Sequence, residues 1–244
     1  WPLSCTACLK SFAISAKVFS EASLRIVLYS GGTPKENKAL DLELLRLIKH
    51  KHPSITFIPA SSYHADTEFR DFVTHYRRFQ VSKFLLLPVD RPVDRTMLEL
   101  ALRSDIVHLG GGNTYYFLNA LRKTGLLPRL QRYVMQGGVL SGESAGGIII
   151  TPSIGMAGHP PFDADENFVH LTNLRSLGLV SFEFFPHYKK TLRYEKAFIS
   201  YTKKHKRPLL ACPDGSGIVI DDCGLKLHGS VTCFCQGKKI ILTS

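Results

Sequence analysis

No apolar run in the 244 residues approaches the roughly eighteen residues a membrane helix needs, so a membrane-spanning reading is set aside. No internal repeat and no low-complexity tract is visible. Cysteine is too sparse for a disulfide framework, with six in a chain of this length. Acidic residues are also short, 20 against 31 Lys and Arg, which leaves a net charge of +11. No recognised nucleic-acid module accompanies that charge, and the densest basic run, Lys203-Lys204-His205-Lys206-Arg207, carries no base-stacking aromatics. A nucleic-acid partner is therefore not expected. What remains is a solvated helix face, or an electropositive approach to a site that takes acidic peptides.

The residues that are present suit a soluble globular protein: 44% hydrophobic and 21% charged. The length fits one open α/β unit with a sizeable core. Residues 24–244 read as that domain. Residues 1–23 read as an N-terminal extension, opening Trp1-Pro2, with no basic start or clean apolar core of a signal peptide. A truncated or processed chain would begin this way. Cys5-x-x-Cys8 with Cys233-x-Cys235 has the composition of a four-thiol metal site. The alternation Cys233-Phe234-Cys235 instead suits one face of a strand, so no metal is expected. Cys212 and Cys223 read as small buried hydrophobes, and the overall usage suits a reducing cytoplasm.

Apolar patterning alternates between strand and helix. Strands are expected at Arg25–Tyr29, Ile55–Ala60, Lys83–Val89, Asp105–Leu109 and Gly138–Leu140. Helices are expected at Asn37–His50, Asp66–Phe79 and Asp94–Arg103, with another opening at Tyr115. This order predicts a mostly parallel central sheet with helices on both faces. Short strands near Phe182–Phe185, Pro208–Cys212, Gly217–Asp221, Leu225–Leu227 and Val231–Gln236 close the chain. The last of these are expected to be antiparallel.

Two motifs fall at expected strand ends, where open α/β sheets place their sites. Gly142-Glu143-Ser144-Ala145-Gly146 has small residues on both sides of one serine. Such a turn holds the serine in a strained conformation, lifts its hydroxyl clear of the sheet, and aims the Ala145 amide at a forming oxyanion. An ordinary strand-to-helix turn can carry the same five residues. Gly110-Gly111-Gly112-Asn113-Thr114 ends the strand before it. A dinucleotide fingerprint fits poorly, because its third glycine would fall at Tyr115. A second oxyanion donor at Gly112 is the better reading, with a tight structural turn as the alternative. No cofactor is expected.

The glycine triplet with Asn113-Thr114, then Gly-x-Ser-Ala-Gly, then Pro186-His187-Tyr188, resembles in order the peptidase E family of serine peptidases, from about Ile26 to the C-terminus. That resemblance implies a class I glutamine-amidotransferase-like, flavodoxin-like α/β fold. It implies Ser144 as nucleophile, His187 as base, and Gly112 and Ala145 as the oxyanion hole. An acid is expected between serine and histidine, where Asp163, Asp165 and Glu166 compete; Asp165 has the best spacing to His187. The family's aspartyl dipeptidases bind the substrate's acidic side chain through an arginine after the histidine, which points to Arg193, with Asn113 as a further substrate contact. The common Ser-Ala-Gly-Ala is Ser-Ala-Gly-Gly here. The resemblance implies hydrolysis of short peptides, dipeptides with N-terminal aspartate foremost, and leaves room for a homodimer. Another amide hydrolase, or a catalytically silent binding protein, would retain the same turn. An elbow glutaminase would carry cysteine in place of Ser144.

Overall fold

The computed structural model describes residues 24–48 and 50–242. Residues 1–23, with Cys5 and Cys8, lie outside them. Seven strands build the main sheet: β1 (Arg25–Tyr29), β2 (Ser54–Ile58), β3 (Lys83–Leu86), β4 (Ile106–Leu109), β5 (Val139–Glu143), β8 (Gly217–Asp221) and β9 (Gly224–His228). Their order is β3-β2-β4-β5-β1-β8-β9. The first five are parallel, whereas β8 and β9 join antiparallel at one edge. The expected mostly parallel α/β architecture is what the chain adopts.

Helices cover both faces, as parallel strands buried on two sides require. Helices α1 (Lys38–Arg46) and α2 (Ala65–Arg77) lie on one face, where Leu40, Leu44 and Tyr76 pack on Val27, Ile55 and Val139. Helices α3 (Arg95–Ala101), α4 (Thr114–Lys123), α5 (Leu126–Met135) and α6 (Ala145–Ile150) lie on the other. Helix α5 is not marked by the expected pattern. It is bracketed by Gly125 and Gly137-Gly138, and Pro128 falls in its first turn, where a missing N–H is harmless.

The C-terminal strands do not all extend the main sheet. Strands β6 (Glu183–Phe185), β7 (Leu209–Ala211), β10 (Val231–Cys235) and β11 (Lys238–Leu242) form a second sheet, ordered β11-β10-β7-β6. In it β6 and β7 run parallel and the other pairs antiparallel. Period-2 alternation splits its side chains. Phe184, Leu210, Cys233 and Cys235 join the main core, while Phe185, Leu209 and Phe234 pack with Tyr194 and Phe198 of α7 (Leu192–Lys204). The two strand thiols thus share one buried face, as expected. Cys212 is also buried, but Cys223 is exposed in the β8–β9 turn, contrary to expectation. Asp222 and Cys223 form an exposed two-residue turn between the strands, where a short side chain stays open to solvent.

Among the described residues no helix is long and apolar enough to cross a membrane. The basic run at 203–207 is exposed at the far end of α7. Ten residues of helix separate Lys203 from Arg193, about 15 Å. Lys203 and Lys204 complement the negative end of the helix dipole.

Candidate active site

Strand β5 runs into α6 through Ser144, whose φ is +51° and ψ −112°. L-residues rarely hold that backbone, and it persists only where the surroundings over-determine it. Two glycines make the turn possible. A Cβ on Gly142 would come within 2.5 Å of the Gly146 carbonyl. A Cβ on Gly146 would overlap the Leu109 carbonyl of β4. The Gly-x-Ser-x-Gly spacing is thus a steric requirement of this strand-to-helix turn. The Ser144 amide donates to the Tyr29 carbonyl at 3.0 Å, which fixes the elbow to β1.

The loop after β6 brings His187 to the serine. Its Nε2 lies 2.8 Å from Ser144 Oγ, and its Nδ1 lies 2.7 Å from Asp214 Oδ1. A carboxylate can only accept, so Nδ1 donates to Asp214, and Nε2 is left to accept the Ser144 hydroxyl proton. The three side chains form one hydrogen-bonded chain. Roughly half of the His187 and Asp214 side chains is open to solvent, so the chain faces a ligand-accessible surface.

The carboxylate that meets His187 is not in the expected loop. Asp165 accepts the Thr114 amide at 2.8 Å, and so places its charge at the positive end of α4. Asp163 accepts from the Tyr194 hydroxyl at 2.7 Å. Glu166 offers its backbone carbonyl to Asn113. Chain spacing to His187 was a poor guide, because this loop packs on α4 and α7 and not on the histidine. Asp214 comes from the turn after β7, in Pro213-Asp214-Gly215. Locally that tripeptide reads as a turn and nothing more.

Asn113 also differs from expectation. It is the N-cap of α4: Oδ1 accepts the Tyr116 amide at 2.9 Å, and Nδ2 donates to the Glu166 carbonyl at 2.8 Å. Both ends of its side chain are engaged in holding the turn. Arg193, exposed in the first turn of α7, lies over the Phe162 ring, with its guanidinium carbon 3.6 Å from the centroid. Among the described residues it has no carboxylate partner within ion-pair distance.

The glycine triplet lies beside the serine. A Cβ on Gly111 would sit 3.6 Å from Ser144 Cβ, so the peptide that carries the Gly112 amide lies next to Ser144. Gly112 has φ +137°, and a Cβ there would stand 2.8 Å from Ala60 Cβ. Ala145 is the first residue of α6, where amides point outward unpaired. These positions are compatible with two donors that converge near Ser144 Oγ.

Glu143, between Gly142 and Ser144 in the elbow, pairs through its backbone with β1. Burial raises its carboxyl pKa; nearby His187 opposes the rise, and Asp41, Asp214 and Glu68 add to it. An acid whose pKa rises on folding contributes stability at low pH that is lost as pH climbs through the folded value. Glu143→Gln is therefore expected to melt higher than the parent at pH 7. The gap should close as pH falls toward about 4. Melting curves across that range check it; a gap that is constant with pH would show that Glu143 carries no buried charge.

The sequence profile of peptidase family S51 matches residues 26–228. An uncharacterized peptidase, Lmo0363 of Listeria monocytogenes, is 30% identical over 141 residues, 57% of this chain and 67% of that one. The uncharacterized peptidase YgaJ of Bacillus subtilis is 29% identical over 172 residues, 67% of each chain. A peptidase E of Salmonella arizonae is 32% identical over 95 residues, 39% of each. The chain thus spans about two thirds of the length of the first two relatives. Among solved structures, a peptidase from an acI-B1 actinobacterium superposes with a TM-score of 0.67 at 16% identity, over 91% of this chain and 96% of that one. A peptidase E candidate from Listeria monocytogenes EGD-e superposes with a TM-score of 0.67 at 23% identity, over 84% and 98%. With the profile covering most of the sequence, the chain belongs to peptidase family S51 and is a serine-type peptidase.

Proposed function

We propose that this peptidase hydrolyses short peptides through a Ser144–His187–Asp214 triad, with dipeptides bearing N-terminal aspartate as its preferred substrates. The observation that carries the reading is the unbroken hydrogen-bond chain from Ser144 Oγ through both His187 nitrogens to Asp214. In the first half-reaction Ser144 Oγ attacks the scissile carbonyl carbon while His187 Nε2 takes its proton. The carbonyl oxygen becomes an oxyanion facing the Gly112 and Ala145 amides. Collapse breaks the C–N bond, and the proton on His187 passes to the departing amine. Water then attacks the acyl-enzyme by the same route in reverse and frees Ser144. Asp214 holds the imidazole in the tautomer that can accept at Nε2, and stabilises the imidazolium.

The preference for aspartate rests on Arg193, on the chain's net charge of +11, and on family membership. A guanidinium meets a carboxylate through two parallel N–H donors, and Phe162 below it restricts its orientations. Arg193→Ala is expected to raise KM for Asp-Leu by about tenfold or more and to leave Ala-Leu turnover nearly unchanged. Steady-state kinetics on both dipeptides check it. Equal kcat/KM for Asp-Leu and Ala-Leu in the wild type rules out aspartyl specificity. A preference preserved in the variant clears Arg193 of the role. The triad itself is tested by a fluorophosphonate probe, which should label the wild type at Ser144 and leave Ser144→Ala unlabelled.

A further inference from the structure

Resting on the triad reading above, we propose that Ser30 is a positioning residue for catalysis, whose hydroxyl holds His187 against Ser144 across the junction of the two sheets. Ser144 belongs to the seven-stranded sheet, whereas His187 and Asp214 follow strands β6 and β7 of the other. The hydrogen bond between Ser144 and His187 therefore depends on how the two sheets are tied. The end of β1 supplies that tie from two consecutive residues. The Tyr29 carbonyl accepts the Ser144 amide at 3.0 Å, and the Ser30 hydroxyl accepts the His187 amide at 2.7 Å.

The Ser30 hydroxyl proton is used as well. It is donated to the Cys212 carbonyl at 2.6 Å, two residues before Asp214. One fully buried hydroxyl thus joins the histidine loop to the strand end that presents the acid. The next residue completes the junction: the Gly31 carbonyl accepts the Gly215 amide at 2.8 Å. A Cβ on Gly31 would overlap the His187 ring and stand 2.8 Å from Asp214 Oδ1, so only glycine lets the pair close over this turn.

His187 needs such a tie because its backbone is strained. Its φ is +54°, close to the +51° of Ser144, in the region that non-glycine residues seldom occupy. Each of these two residues has its amide tied to the end of β1. Without the Ser30 oxygen the His187 amide would lose its partner, and the loop would be free to relax toward an ordinary backbone. A shift of about 1 Å in the imidazole is enough to cost roughly a hundredfold in rate.

Ser30→Ala is the test, read by Asp-Leu hydrolysis at saturating and limiting substrate. Expected is a fall in kcat of about a hundredfold with KM within about twofold, because the hydroxyl touches no substrate. In a His187→Ala background the same substitution should change the residual rate by less than about twofold, since its effect passes through the histidine. A general defect in folding would lower both backgrounds alike. If Ser30→Ala does not fold, Ser30→Cys keeps the volume with a weak donor and acceptor, and the same two readouts apply. A kcat within threefold of the wild type, or an equal loss in both backgrounds, overturns the proposal. A wild type that neither takes up a fluorophosphonate at Ser144 nor cleaves peptides overturns the triad reading, and this one with it. A labelled, active wild type with an unaffected Ser30→Ala overturns only the role of Ser30.

Discussion

Replacing Ser144 with alanine is expected to lower kcat for Asp-Leu by about 10⁴-fold or more while the protein still folds. The loss is large because no other group at the end of β5 bears a hydroxyl within reach of His187 Nε2. The fold should survive because the elbow is held by backbone and not by the Ser144 side chain. Its amide bonds to the Tyr29 carbonyl, its carbonyl accepts from the Ile148 amide, and the neighbouring glycines make room for both. Alanine at φ +51° bears the same kind of strain as serine, so the melting temperature should move by a few degrees at most. Full turnover in purified, folded Ser144→Ala would falsify the nucleophile assignment.

Asp214→Asn should lower kcat by about 10⁴-fold, with substrate binding largely kept. Asparagine preserves the shape but presents an amide that can donate to Nδ1. That favours the tautomer whose proton sits on Nε2, where it cannot accept from Ser144. Asp165→Asn serves as the comparison. Its oxygen caps α4 through the Thr114 amide, so the change should cost about 1 kcal/mol of stability at most and leave kcat within a fewfold of the parent. Kinetics on the two variants side by side, with melting curves, separate the roles. If Asp165→Asn is the crippling change and Asp214→Asn is mild, the hydrogen-bond chain described here is not the catalytic one.

These two aspartates mark the limit of what a linear reading can locate. Ser144 and its glycines were legible because their constraint is local: five consecutive residues must make a sharp turn, and only small flanks allow it. The glycine triplet was legible for the same reason, as was the alternation of strands and helices that yields the parallel sheet. The pairing of Cys233 with Cys235 on one buried face followed from period-2 geometry alone. His187 was found through the resemblance of Pro186-His187-Tyr188, in order after the other two motifs, to the family's pattern.

The acid and the junction at β1 depended on contacts between distant parts of the chain. Asp214 and Ser30 are 184 residues apart, yet both meet the His187 loop because a second sheet folds β6 and β7 against the end of β1. Nothing in Pro213-Asp214-Gly215 or Ser30-Gly31 marks either as part of a site. Asp163, Asp165 and Glu166 stand nearer to the histidine in sequence, but their loop is held by α4 and α7, so that nearness did not become contact. The sequence by itself determined the turn that presents Ser144 and the fold class, because backbone sterics and side-chain periodicity act over a few residues. Only the tertiary structure decided which carboxylate and which buried hydroxyl hydrogen-bond to His187, because those contacts depend on how two sheets pack.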